Sequence, residues 1–203
     1  PRSTLFPYTT LFRSITLCWI ICFYLPGSVN NTKDNLDACA KWEKCSIHKH
    51  PRVIAWLQSL PGCPCIKPKH VYKSDHIYDP IHKKVFHWQP IHHLFEKLYI
   101  YKPYAKFCIR QVVTSRSTTV QQCCYDNYHQ LITRGSGAGT PQLVSRDVDL
   151  STHDALDLLP WRLCQGDWTR YHKVRPPNNS LNCTQNPDDW QYTLQRKKAT
   201  EYW

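Results

Sequence analysis

The chain has 203 residues, eleven cysteines, no methionine and a formal net charge of +11. That length holds one ordinary domain, with or without tails, and the cysteine count points to an oxidising compartment rather than to cytosolic zinc modules, whose paired Cys-x-x-Cys units are absent. The charge favours an acidic partner such as a polyanionic glycan, an acidic receptor or nucleic acid, and a plain solvated basic surface accounts for it equally well.

Thr4-Leu5-Phe6-Pro7-Tyr8-Thr9-Thr10-Leu11-Phe12-Arg13-Ser14 reads, codon by codon, as the translation of a common sequencing adapter. Residues 1–14 are therefore set aside as an artefact, and the chain is expected to be N-terminally incomplete. Residues 15–27 form the long apolar run. It is shorter than the ~20 residues of a membrane span, and fits either the apolar core of a signal peptide or translated non-coding sequence. The domain proper is expected over 28–203, entered by a polar linker that carries a glycosylation sequon at Asn30.

With Asp37 as N-cap, the pattern predicts a helix with Trp42 among its first apolar residues, interrupted by Pro51, resumed at 53–57 and ended by Leu60-Pro61-Gly62. Cys39 and Cys45 lie ~240° apart around an ideal helix, so they bond elsewhere rather than to each other. In Cys63-Pro64-Cys65 the residue before proline is extended and the two sulfurs diverge. Residues 71–72, 85–88, 98–101 and 107–113 read as short strands, rich in aromatic and β-branched side chains and punctuated by Pro68, Pro80, Pro90 and Pro103.

Gln122-Cys123-Cys124-Tyr125-Asp126 is the expected structural hub. Adjacent Cα atoms are ~3.8 Å apart, below the ~4.4 Å at which ordinary disulfides begin, so the two cysteines bond different partners. In an extended segment their side chains point to opposite faces, stapling one strand to two other parts of the chain. Residues 131–134 are expected to pair next, followed by a glycine-rich turn that Pro141 keeps from becoming a helix. Beyond it come a short acidic helix within 147–157, a compact unit of Trp161, Cys164 and Trp168, and a loop at 176–179. A last helix has Asn186 as cap, Pro187 first, Asp188 and Asp189 in the first turn and Arg196-Lys197-Lys198 towards its end.

Gly135-Ser136-Gly137-Ala138-Gly139 has no Lys-Ser/Thr after it and no helix to hold a phosphate, so it reads as a turn, and Ser136 lies in no nucleophile elbow. His82, His87, His92 and His93, with Glu96, match no His-Glu-x-x-His spacing and read as surface histidines. No catalytic set, metal set or cofactor is expected. The segment 67–116 is strongly basic, and its candidate receptor or glycan contacts are Lys83, Lys84, Lys97, Lys102, Lys106 and Arg110. Residues 28–203 hold nine disulfide candidates: Cys39, Cys45, Cys63, Cys65, Cys108, Cys123, Cys124, Cys164 and Cys183. Four internal bonds leave one over, expected to pair with another chain or an upstream repeat. Asn178 and Asn182 head two further sequons, with at least one expected to be hindered by a neighbouring disulfide.

Cys39-x-x-Trp42-x-x-Cys45, Leu60-Pro61-Gly62-Cys63-Pro64-Cys65, Tyr101-Lys102-Pro103, Cys108-Ile109-Arg110, Ser117-Thr118-Thr119, the hub and Leu131-Ile132-Thr133-Arg134-Gly135 with Gly137-Ala138-Gly139-Thr140-Pro141 together resemble the AMOP domain, an adhesion-associated extracellular domain. Asn30-x-Thr32-Lys33 and the tail, with Leu159-Pro160-Trp161, Gly166-Asp167-Trp168, Arg170-Tyr171, Arg175-Pro176-Pro177-Asn178-Asn179 and Cys183-Thr184-x-Asn186-Pro187, resemble the isthmin family in particular. The resemblance implies a secreted, non-enzymatic signalling or matrix protein, acting through cell-surface receptors, integrins and blood-vessel growth. It also implies a thrombospondin type 1 repeat before the domain, of which this sequence has no trace. Some isthmins resemble integrin ligands through a triplet ending in aspartate, at the position that here reads Lys83-Lys84-Val85. Val85 has no carboxylate to complete a receptor metal site, which puts integrin binding in doubt.

The expectation is a small disulfide-rich α+β domain with short antiparallel strands, an N-terminal helix and a C-terminal helix. It serves as an extracellular adhesion or signalling module for a cell-surface receptor or matrix, with no nucleic acid partner. Binding of a sulfated glycan through 67–116 is the alternative, and a secreted hydrolase or nuclease a more distant one.

Overall fold

The computed structural model describes residues 36–45, 51–69, 75–92, 95–113 and 118–199. The expectations for residues 1–27, for Asn30 and for a strand at 71–72 lie outside them. Helix α1 (Ala38–Glu43) starts where predicted, with the Asp37 carboxylate accepting from the Ala40 N–H at 2.7 Å. Helix α2 (Pro51–Ser59) begins on Pro51, the proline expected to interrupt a helix. Proline lacks an N–H and has a preset φ, and the first turn of a helix needs no N–H there.

Four strands, β1 (Asp75–Asp79), β2 (Lys84–Pro90), β3 (Phe107–Gln111) and β4 (Gln122–Tyr125), form one antiparallel sheet in the order β1-β2-β3-β4. Residues 98–101, expected as a strand, are instead a helical turn, α3 (Leu98–Tyr101). Four apolar residues carry no period that separates strand from helix. Tertiary context decides here: Lys97 enters a left-handed conformation at φ 49°, and the turn then buries Leu98 beside Ile91 and Ala105.

The second half is mainly helical. Helix α4 (Leu150–His153) is capped by Asp149 and widens to a π turn over Asp154–Leu158 before continuing as α5 (Leu159–Leu163). The predicted acidic helix thus runs on through Pro160, which falls just after the widened turn and inside a fresh first turn. Helices α6 (Trp168–Val174) and α7 (Asp189–Lys198) follow. The cap of α7 is Asp188, not Asn186: its carboxylate accepts from the Gln191 N–H at 2.8 Å. Asn186 is occupied elsewhere, donating to Asp126 at 2.8 Å and accepting at its carbonyl from Thr133, across a cis bond to Pro187.

The hub behaves as its geometry dictates. Cys123 faces Phe86, Trp88 and Ile109 on one side of the sheet, and bonds Cys63; Cys124 faces Ile91 and Leu98 on the other, and bonds Cys108. Cys65 bonds Cys183 and Cys39 bonds Cys164, the latter inside a third cluster built on Trp42, Trp161, Trp168 and Tyr171. Cys45, the cysteine that these four bonds leave over, is disulfide-bonded as well. Gly139 lets the glycine-rich turn close over β4, because a Cβ there would collide with the Gln122 carbonyl oxygen. The turn itself is closed by the Ala138 N–H donating to Gly135 O at 3.1 Å.

Candidate interaction surface

The β1–β2 hairpin projects from the sheet, and its connection is organised by one carboxylate. Asp79 is buried at the end of β1, and Asp-Pro is a turn-initiating pair. Its Oδ1 accepts from the Ile81 and His82 N–H groups at 2.7 and 3.1 Å, and its Oδ2 from the Gly62 N–H at 2.7 Å. The His82 ring closes the brace, with Nδ1 2.9 Å from Asp79 Oδ2 and Nε2 2.9 Å from the Gln58 carbonyl oxygen. Both acceptors lack a proton to offer, so only the imidazolium satisfies both contacts. The Gln58 carbonyl holds the His82 pKa above its ordinary value, against burial and with help from Asp79. Burial pushes the Asp79 carboxyl up, but its hydrogen bonds outweigh that and hold it below the usual carboxylate range.

This brace fixes the tip to the end of α2 and to the Gly62-Cys63 segment of the disulfide framework. What the tip displays is cationic and apolar. Lys83, at φ 51°, and Lys84 are exposed, as are Ile81, Tyr78 at 58% and Val85 at 48%. Tyr78 and Val85 face each other across the hairpin, and Lys84 Nζ lies 4.4 Å from the Phe86 ring centroid.

The six candidate contact residues do not form one surface. Arg110 is 3% exposed and Lys102 4%, so both leave the candidate set. Arg110 lies on β3 and is chelated twice: Nη1 donates to Glu96 at 2.8 and 3.0 Å, and Nη2 to Asp147 at 3.0 and 2.9 Å. Lys102 Nζ donates to Thr140 Oγ1 at 3.3 Å beside a cavity of about 60 Å³ that Trp161, Tyr171 and His153 also line, and burial pushes its pKa down to about 7. Lys97 and Lys106 are exposed. Lys106 belongs to a second patch at the opposite end of the sheet. There Lys67 Nζ sits 4.9 Å from the Phe107 ring centroid and the exposed His129 ring 5.2 Å from the same ring.

The other sequence candidates separate just as clearly. Asn178 turns its amide inward, donating to the Pro61 carbonyl at 2.9 Å and accepting from Ser180, whereas Asn182 is exposed. The histidines do not converge: His82 braces the tip, His87 lies beside His76, His92 beside Phe95, and His93 is outside the described residues. Among the described residues no group of three or more metal-ligating side chains occurs, and no helix is long and apolar enough to cross a membrane.

The family model for the AMOP domain matches residues 34–184. The chain belongs to the AMOP domain family. This is an extracellular, adhesion-associated and non-enzymatic domain family, and the four disulfides among the described residues suit that setting. No solved structure matches the chain. Within this AMOP domain the residues missed from sequence are Asp79, Tyr78 and Phe107. The Asp79-Pro80 pair was a readable turn signal, but nothing in the sequence announced that Asp79 reaches Gly62.

Proposed function

We propose that this AMOP protein is a secreted, isthmin-like module that binds an acidic surface of a cell-surface receptor or matrix component through the β1–β2 tip. The observation that carries the proposal is the Asp79 brace, which holds Lys83 and Lys84 outward on a turn tied to the disulfide framework. A rigid display lowers the ordering cost of association. The tip's carboxylate, Asp79, is buried and occupied in the brace, so the tip's mode is cationic rather than the metal-completing contact of integrin ligands. Residues 28–203 act in this reading as one domain with an isthmin-like tail, behind a leader at 15–27 and an adapter-derived start at 1–14. Asn182, with its exposed amide, is the favoured glycosylation site over Asn178.

A second reading, sulfated-glycan binding, is supported by the lysine and aromatic cluster of Lys67, Lys106, Phe107 and His129. One chromatographic comparison separates the readings. If the second holds, the protein elutes from heparin at higher salt than from a sulfonate cation exchanger, and Lys106→Glu abolishes the difference. If the first holds, heparin gives no excess retention, while binding to receptor-bearing cells falls at least tenfold in Lys83→Glu/Lys84→Glu. Undiminished cell binding by that variant would overturn the tip as the contact surface.

A further inference from the structure

The sheet register brings together two histidines whose separation in sequence signals nothing. His76 on β1 lies opposite His87 on β2. The His87 carbonyl accepts from the Val112 N–H at 2.7 Å on the β3 side. Towards β1, therefore, His76 and His87 form a non-hydrogen-bonded pair, the arrangement in which opposed side chains approach most closely. Both are exposed, and their ring centroids are 3.9 Å apart with the planes at 63°. Neither ring is engaged by a hydrogen bond or ion pair with another described residue. The next pair on the same face, Tyr78 and Val85, adds no charge.

We propose that His76 and His87 are a two-histidine chelating site for a borderline divalent cation of the zinc, copper or nickel class. Imidazole nitrogen suits these ions and not the hard, oxygen-seeking magnesium or calcium. Each ligand must bring one nitrogen to about 2.0–2.1 Å from the ion. Rings already in contact edge to face reach a shared ion by small side-chain rotations, with the backbone register held by both strands. Two protein ligands leave the remaining coordination positions to water or to a donor from a bound partner. The site stands whether or not the lysines at the tip bind an acidic surface.

The test is a calorimetric titration of Zn²⁺ into the whole oxidised chain, with Mg²⁺ as the contrasting ion. The tightest Zn²⁺ equivalent is expected to weaken at least tenfold in His76→Asn and in His87→Asn and to vanish in the double variant. It is expected to persist in His129→Asn, which alters an exposed histidine at the far end of the sheet, and Mg²⁺ is expected to give no heat of binding. A variant-free measurement accompanies it: Cu²⁺ should broaden the nuclear magnetic resonance signals of Tyr78 and Val85 before those of Phe107. An unaltered first Zn²⁺ equivalent in the double variant, absence of Zn²⁺ binding by the wild-type chain, or broadening that begins at Phe107 would each overturn the proposal.

Discussion

Arg110 sits on β3, a strand with neighbours on both sides, and Lys84 at the free end of β2, where the hairpin runs on past β3. The two cations come from one basic segment and have opposite fates. Arg110 is enclosed by Glu96 and Asp147, while Lys84 keeps its ammonium over the Phe86 ring and its side chain exposed. Strand position, not local charge density, separates a cation that holds the fold from one that can meet a partner. Long-range charge arguments from sequence therefore overstate the binding surface wherever a basic run crosses the middle of a sheet.

The largest expected effect lies in the scaffold that makes this contrast possible. Each native disulfide is worth roughly 2–5 kcal/mol, so reduction should abolish the near-ultraviolet dichroism of the clustered tryptophans. Retention of that signal in reductant would mean that packing alone holds both halves in place. Next, Arg110→Met should destabilise by about 3–5 kcal/mol in denaturant titration, because it leaves the mostly buried Glu96 carboxylate without its partner. Lys84→Met should stay within about 0.5 kcal/mol. Equal costs for the two substitutions would erase the distinction.

A smaller effect is expected at the brace. Asp79→Asn puts an NH2 donor where one carboxylate oxygen accepts from N–H groups, losing those bonds and neutralising the rest at a buried site, and should cost about 1–3 kcal/mol. The pH dependence has two limbs. Asp79 has a depressed folded pKa, so its contribution is present above the ordinary carboxylate value of about 3.9 and is lost as pH falls through the folded value. His82 has a raised folded pKa, so its contribution is complete below the ordinary value of about 6.5 and is lost as pH rises through the folded value. Protection of the residue-82 N–H, its exchange rate taken relative to the intrinsic rate at each pH, should be greatest between those limits and lose the alkaline limb in His82→Gln.

Much of the scaffold was legible in the sequence because it follows from local rules. Adjacent cysteines cannot share an ordinary disulfide, and Cys123 and Cys124 do go to opposite faces. Asp37 caps α1 because its carboxylate reaches the first free N–H groups. The family match over 34–184 agrees with the motif order that the AMOP resemblance rested on. What the sequence could not give depends on distant contacts. The turn at 98–101 is decided by the burial of Leu98, and the α7 cap moves because Asn186 is held by Asp126. The site was only half readable: Lys83 and Lys84 fall in the open, but the enclosure of Arg110 needs Asp147, and the His76–His87 contact exists only through strand register.

In the proposed reading the tip lysines, and not basicity in general, make the contact surface. It is tested most directly by cell-surface binding of Lys83→Glu/Lys84→Glu beside Lys197→Glu/Lys198→Glu, which makes the same change of net charge at the end of α7. A loss of at least tenfold in the tip variant, with the α7 variant near wild type, is the predicted result. Equal losses in both variants would show that the protein binds through its overall charge and not through the tip.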